Sequence, residues 1–283
     1  MPGIEGMVAP LVDAPPPTPL RYGLLSVARV VDVPGGIDSA RLRAAGYAYL
    51  IDHCGTQIHV DGQSCDANPV KVFEEGSELR EGDPFALYTK KHCGSLGRSE
   101  AEMRAAALAA HTAGEQAALE LAVWTALSAS VPTIITPEAP GAGTALSALE
   151  YAAGASIHYQ GVVHVPASAA SALIYSGAAR WDGTVWRTPQ LHKISFGSGY
   201  VATSGPTPPA DGFVWAFLTG QVDIRRGAAT IPPLSQTFDR TANQWVAEVN
   251  RPYAFTWECP EVYAVQIPVA APATTAAPAV PAP

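Results

Sequence analysis

Charge is scarce in this sequence: Asp, Glu, Lys and Arg make up 15% of its 283 residues, against roughly 25% in an average globular chain. A surface with so few charges is expected to be covered largely by something else, most simply by copies of the same chain. The charges present sum to −8. Sequence-independent attraction to nucleic acid phosphates or to anionic membranes is therefore not expected. Cysteine is also sparse, with Cys54, Cys65, Cys93 and Cys259 showing no C-x-x-C spacing, which points to reduced thiols used in packing. No stretch approaches the ~18 consecutive apolar residues of a membrane span. Nor does a basic run followed by an apolar core open the chain, so the expectation is a soluble chain made in the cytoplasm, without a secretory signal.

Catalytic and cofactor motifs are missing too. Neither a G-x-S-x-G elbow nor a G-x-x-x-x-G-K-[ST] phosphate loop occurs, no G-x-G-x-x-G follows a strand, and Gly197-Ser198-Gly199 lacks a strand-turn-helix context. His53 and Cys54 would approach His92 and Cys93 if their flanking strands paired. Adjacent strand residues point to opposite faces, however, so at most one of each pair could converge on a zinc ion. Buried thiols and hydrogen-bonded histidines are the better reading. The aromatic set Trp245, Tyr253, Phe255 and Trp257 could form a stacking platform for bases or sugars, but its strand alternation fits a core. No catalytic, cofactor-binding or metal-ligating residue is assigned, and no cofactor is expected.

What the sequence does contain is one long, strongly patterned helix. Ser99 followed three residues later by Glu102 forms a capping box, and the helix then runs to Ser128 through Met103, Leu108, Leu119, Leu121, Val123, Trp124 and Leu127 on an Ala-rich background until Pro132 stops it. At about 1.5 Å per residue this is a rod of roughly 45 Å. On a helical wheel Glu100, Arg104, His111 and Glu115 form one stripe, predicted to meet water. From Ala117 onward only Glu120 is charged, which predicts a second half covered on most sides. Gly114 marks a candidate bend.

Around the helix the chain divides by composition, and its length would suit one large or two modest domains. Residues 1–20 are rich in Pro, Ala and Gly and read as an extended arm. Leu24–Val33 is its first anchoring point, Pro34-Gly35-Gly36 a turn, and Tyr47–Ile51 and Gln57–Val60 are strands. Asp61–Pro84, with its glycines and acidic residues, reads as a long projecting hairpin or loop, after which Phe85–Tyr88 returns as a strand. Past the helix come a strand at Thr133–Thr136, a helix at Thr144–Gly154 capped by Thr144 and carrying Leu146, Leu149 and Tyr151, a buried strand at Gly161–Val165, a helix at Ser168–Ser176 and a hairpin turn at Asp182-Gly183. Phe213–Phe217, Gln221–Arg225, Gln244–Asn250, Tyr253–Trp257 and Val262–Ile267 read as successive strands of a final sheet against the long helix. Trp245, Ala247 and Val249 should share one face and Tyr253, Phe255 and Trp257 another. From Pro268 only Ala, Pro, Thr and Val follow, a low-complexity tail.

Several stretches carry a resemblance. Phe85-Ala-Leu-Tyr-Thr-Lys-Lys-His-Cys93 leads into the helix, which holds Glu115 and Glu120-Leu-Ala-Val-Trp124; Gly161-Val-Val-His-Val165, Gly197-Ser-Gly-Tyr200, Trp215 to Gly220 with Val222, and Phe238-Asp-Arg-Thr-Ala-Asn243 follow. Together with the order of arm, loop, helix, mixed domain and sheet, they resemble the major capsid proteins of tailed bacteriophages, of the actinobacteriophage type. The resemblance implies an α+β, Hong-Kong-97-like capsid fold: an N-terminal arm (1–46), an extended E-loop hairpin (47–96), a long spine helix (97–132), a mainly axial domain (133–212), a closing β-sheet of the peripheral domain (213–267) and a flexible tail (268–283). It also implies a non-enzymatic head protein that self-assembles as hexamers and pentamers into an icosahedral shell in the virion. Its further partners would be scaffold, portal and decoration proteins, with packaged DNA contacted non-specifically. Cross-linked members of the family join a loop lysine to a neighbour's asparagine beside a glutamate, roles that would fall to Lys71, Asn243 or Asn250, and Glu248. The alternatives are an encapsulin-like compartment shell and a β-rich tail or surface binding module.

Overall fold

In the computed structural model, which describes residues 21–51, 78–93, 99–154, 156, 157, 159–233, 238, 239 and 244–269, the predicted long helix is α3, Glu100–Ala129. Its capping box forms: the Ser99 hydroxyl accepts from the Glu102 N–H at 3.3 Å, and the Glu102 carboxylate accepts from the Ser99 N–H at 2.7 Å. At the other end Val131 adopts a left-handed φ of 54°, and Pro132 follows.

The buried row of α3 is Met103, Ala107, His111, Glu115, Leu119, Val123 and Leu127, every fourth residue. Four residues advance an α-helix about 40° beyond a full turn, so the buried side winds around the rod instead of staying on one meridian. This corrects the water-facing stripe. Glu100 is exposed and Arg104 half-buried, but His111 and Glu115 are buried because the contact face has rotated onto them by mid-helix. The covering of the second half is also less complete than predicted, since Leu121 is 48% exposed.

Two sheets meet this winding face. The first contains β1 (Arg29–Asp32), β11 (Val222–Arg226), β13 (Gln244–Trp257) and β12 (Phe238–Asp239) in that order, with β4 (Pro84–Cys93) also paired to β13. The second has seven strands in the order β5 (Thr133–Ile135), β14 (Tyr263–Pro268), β10 (Phe213–Thr219), β6 (Val162–Pro166), β9 (Lys193–Gly197), β8 (Trp186–Arg187) and β7 (Arg180–Trp181). The reading of 213–267 as one sheet is thus corrected: β10 and β14 pair with each other in the second sheet, while β11 and β13 belong to the first. Alternation along a strand reports which faces are buried, not which strand lies alongside.

Gln244–Asn250 and Tyr253–Trp257 are likewise one 14-residue strand, crossing Pro252 without a break. In an antiparallel strand the N–H and C=O of one residue point to the same side. The Pro252 carbonyl accepts from the Gly227 N–H at 2.8 Å, on the side where β11 has already ended at Arg226. The missing donor therefore costs no bond to β4. Register is unbroken from Trp245 to Ala254, so the odd residues from Trp245 to Trp257 share one face rather than two.

The second sheet is covered on both sides, which is why its strands read as continuous apolar runs. Val214, Ala216 and Leu218 of β10 pack with Leu146 and Leu149 of α4 (Ala142–Ala153) and Leu173 of α5 (Ala170–Tyr175). Trp215 and Phe217 point the other way, toward Leu119, Val123 and Trp124 of α3. Gly141 is the N-cap of α4; the Thr144 hydroxyl, predicted to cap, donates back to the Ala139 and Gly141 carbonyls. Tyr151, expected on the apolar face, is 86% exposed. The predicted Asp182-Gly183 turn joins β7 and β8, with Asp182 accepting from the Thr184 and Val185 N–H groups.

Two short helices precede the ribbon: α1 (Leu24–Val27) and α2 (Ile37–Ala45). The predicted projecting segment is rooted in a separate antiparallel ribbon of β2 (Tyr47–Ile51) and β3 (Glu78–Gly82). Residues 52–77, including the predicted Gln57–Val60 strand, lie outside the described residues, as do the arm and most of the tail.

Candidate functional site

Three buried polar assemblies bind other elements to α3 or to the sheet that α3 covers. Nearest the N-terminal half, Glu115 Oε1 accepts from the Tyr253 hydroxyl at 2.8 Å and from Arg226 Nη1 at 3.2 Å, with Arg251 Nη1 at 3.5 Å. Arg226 forks onto Asp32 at 2.7 and 3.1 Å, a two-pronged geometry that fixes direction as well as charge. The hydrogen bond from Arg226 holds the Asp32 carboxyl below its usual range. His111 completes the group, 3.1 Å from the Thr89 hydroxyl, and burial lowers its proton affinity. The helix, β1, β4, β11 and β13 are thereby tied at one point.

One turn further on, Glu120 is fully buried and accepts from the Leu24 N–H at 3.0 Å and the Gly199 N–H at 2.8 Å. Burial pushes its carboxyl upward, opposed by these backbone donors. Gly199 is required there, because a Cβ would stand 2.0 Å from the Ala117 carbonyl oxygen. The Gly197-Ser198-Gly199 segment therefore seats a loop on the helix. In the second sheet, His164 Nδ1 is 3.0 Å from the Tyr200 hydroxyl and Nε2 is 3.1 Å from the Thr219 hydroxyl, while Ser195 also meets Tyr200 at 2.9 Å. Burial pulls His164 down to about 3. This Ser–Tyr–His chain is sealed from solvent and offers a substrate no access.

The ribbon is fastened differently. The Tyr47 hydroxyl donates to the Asp223 carbonyl at 3.0 Å, the Arg225 guanidinium lies 5.1 Å over the Tyr47 ring, and Gly46, at φ 64°, approaches the Gly82 carbonyl so closely that a Cβ would be 2.0 Å away. Its root is rigidly held.

The sequence-level candidates are dispersed. Because β2 pairs with β3 and β4 with β13, the strand pairing needed to gather His53, Cys54, His92 and Cys93 does not form; His53, Cys54 and Cys65 lie outside the described residues. Among the described residues no three His, Cys, Asp or Glu side chains form a metal site. Cys259 is disulfide-bonded, which corrects the expectation of reduced thiols: sequence spacing does not reveal which cysteines a fold brings together. Tyr253 and Trp257 are buried, and Trp245 and Phe255 pack against the cores under α3, so these aromatics are core residues. Glu248 lies opposite Lys90, with 3.5 Å between their charged groups, and Asn250 lies opposite Tyr88; Lys71 and Asn243 fall outside the described residues. An open groove of about 750 Å³ beside α4 has Glu138 as its one charged lining residue among the described residues.

Sequence reasoning missed Asp32, Arg226, Arg251 and Tyr47. For Glu115 and His111 a signal existed in the every-fourth-residue row, where they fill the gap between Ala107 and Leu119.

No family model and no curated protein matches this chain. Solved structures do. The holo-SrpI encapsulin complex from Synechococcus elongatus PCC 7942 aligns over 93% of this chain and 94% of its own at 8% identity, with a TM-score of 0.52. The virus-like particle from Pyrococcus furiosus aligns over 87% and 92% at 10% identity and 0.50. The chain has the Hong-Kong-97-like fold. A chain of Mycobacterium phage Adephagia shares it over 90% of this chain and 93% of its own, at 12% identity and a TM-score of 0.50. At such identities the likeness is one of fold. No helix among the described residues is long and apolar enough to cross a membrane.

Proposed function

We propose that the chain is the major head protein of a tailed phage, many copies of which close into an icosahedral shell around packaged DNA. The observation that carries this reading is the fold likeness, which covers 90% of this chain and 93% of the Mycobacterium phage Adephagia chain. The charge-poor composition supports it, because most lateral surface of a shell subunit ends in interfaces. On this reading α3 is the spine and the five-stranded sheet the body of the peripheral domain. The seven-stranded sheet with α4 and α5 is the axial domain, and the ribbon is the root of the E-loop. No residue is assigned a catalytic role, and the partners are further copies, with scaffold, portal and decoration proteins as additional candidates.

A compartment shell of the encapsulin kind is the second reading, favoured by the likeness to the Synechococcus structure. The test is purification of the full chain, expressed alone and with a scaffolding protein, followed by sedimentation and negative-stain microscopy. Rings, capsomers or closed shells are expected, and a monomer under every condition would overturn both shell readings. Particles isolated from the source decide between them: nuclease-protected DNA supports the head protein, enclosed protein the compartment.

A further inference from the structure

The groove beside α4 follows the side of the helix turned away from the core. Gly143, Ser147 and Tyr151 line it at four-residue spacing, Ala148 lies between them, and Ile135 and Glu138 line it from the β5–α4 connection. Tyr151 is 86% exposed there. The end of the described chain comes out beside this groove. β14 runs parallel to β5, with Val265 beside Ile135, and α4 returns from β5 after a short loop. Just past the C-terminal end of α4 the Ser156 hydroxyl meets the Tyr263 hydroxyl, at the start of β14. From there to Val269 the strand advances about 20 Å, and α4 runs back over about 18 Å. Val269 is therefore level with the N-terminal end of the helix, packed against the core that α4 covers.

We infer that residues 270–283 of the same chain turn back after Val269 and lie along this groove. Reach allows it. These 14 residues span roughly 43 Å as polyproline II, and about six of them cover the length of α4, leaving the rest for the reversal. Composition matches it. The segment holds only Ala, Pro, Thr and Val, so it brings no charge into a groove with one carboxylate, and no bulky side chain between Gly143, Ser147 and Ala148. Four of its residues are proline, each without an N–H that would need an acceptor, and they favour the preformed conformation that aromatic-lined grooves bind. Tyr151 supplies the ring and a hydroxyl to donate to a carbonyl. Tethering at Val269 holds the segment at an effective concentration on the order of millimolar, an advantage that a second copy or a separate protein lacks. The contact belongs to the single subunit and does not depend on the shell reading.

The test digests the full chain, as dilute unassembled subunits, with elastase, whose small specificity pocket suits cleavage after alanine. Release of tail fragments is followed by mass spectrometry beside a synthetic peptide of residues 270–283. The tail on the chain should be cut about tenfold or more slowly than the peptide, because cleavage tracks the fraction of time it is undocked. Ala148→Arg puts a long charged side chain into the groove at little cost in helix propensity. It should abolish most of the protection while thermal melting of the body stays unchanged. Tyr151→Ala, at an exposed position, should abolish part of it and serves if the first variant fails to fold. A tail cut as fast as the free peptide, or protection that survives both substitutions, would overturn the inference. Protection that grows with protein concentration would also overturn it, since the tail would then be lying on a second copy. None of these results alters whether subunits close into shells, which microscopy of the wild type decides.

Discussion

The two halves of α3 meet the protein through different chemistry. Over the five-stranded sheet the helix contributes Met103 and Ala107 to a small apolar cluster with Ala247 and Val249, and then a charged knot at His111 and Glu115. Further along, where both sheets reach the helix, it contributes Leu119, Val123, Trp124 and Leu127 to a large apolar cluster with Trp215 and Phe217 of β10 and Val222 and Ile224 of β11, interrupted by the backbone-bonded Glu120. The first half is oriented by directional bonds, the second by volume. The difference follows position along the helix: Asp32, Arg226, Arg251 and Tyr253 of β1, β11 and β13 meet its first half, whereas Trp215 and Phe217 of β10 and the apolar residues of β11 and β13 close a common core beside its second.

The largest loss should come from the apolar half. Trp124 stands edge-on to Phe217 with centroids 4.8 Å apart, stacks on Tyr200 at 5.2 Å and donates to the Ser204 hydroxyl at 3.1 Å. Trp124→Ala is expected to cost about 3–5 kcal/mol in urea unfolding, by nearly the same amount at low and high salt. Next comes the charged half. Glu115→Ala leaves Arg226 and Arg251 short of an anion and the Tyr253 hydroxyl without its acceptor, a loss of roughly 2–4 kcal/mol, kept below the fully buried case by the one-fifth exposure of both arginines. This cost should shrink in 1 M salt, where screening acts over about 3 Å. Equal salt dependence of the two variants would show that the halves do not differ as described.

A pH series probes the sheet that both α3 and α4 cover. His164 is held neutral, with its folded value at about 3 against 6.5 unfolded. The unfolded chain therefore binds the extra proton between these values, so the contribution is complete above pH 6.5 and is lost as pH falls toward 3, by at most about 1.4 kcal/mol per pH unit. Glu120 and Glu150, whose carboxyls are raised by burial, oppose this trend, their contribution being full at low pH and lost as pH rises. His164→Gln should flatten the wild-type slope between pH 6.5 and 5, whatever its effect on absolute stability. An unchanged slope would mean that His164 is not buried neutral.

The difference between the halves also explains what could be read in advance. Local chemistry was legible: Ser99 and Glu102 start the helix, Asp182-Gly183 turns the β7–β8 hairpin, and the apolar run at Val162–Val165 is a strand covered on both faces. Partnership was not. Nothing near Arg226 says that it will meet Asp32, 194 positions away, or that β10 will pair with β6 and β14 while β11 joins β13. Charges on a helix read as solvent-facing by default, and only the drift of the buried row distinguishes Glu115 from Glu100. Pro252 read as a strand break because its missing N–H matters only where a neighbouring strand would use it.

The smallest predicted effect tests the outer end of the charged half. Ser99 and Glu102 are exposed, and the bonds between them close the first turn of α3. Ser99→Ala removes the acceptor of the Glu102 N–H and should cost about 1 kcal/mol. The loss should appear as faster amide exchange confined to the first turn, since Met103 and Ala107 anchor the next one against Ala247 and Val249. Exchange that quickens as far as Glu115 would mean that the small apolar cluster does not isolate the helix end from the charged knot, and that the two together hold the first half as one unit.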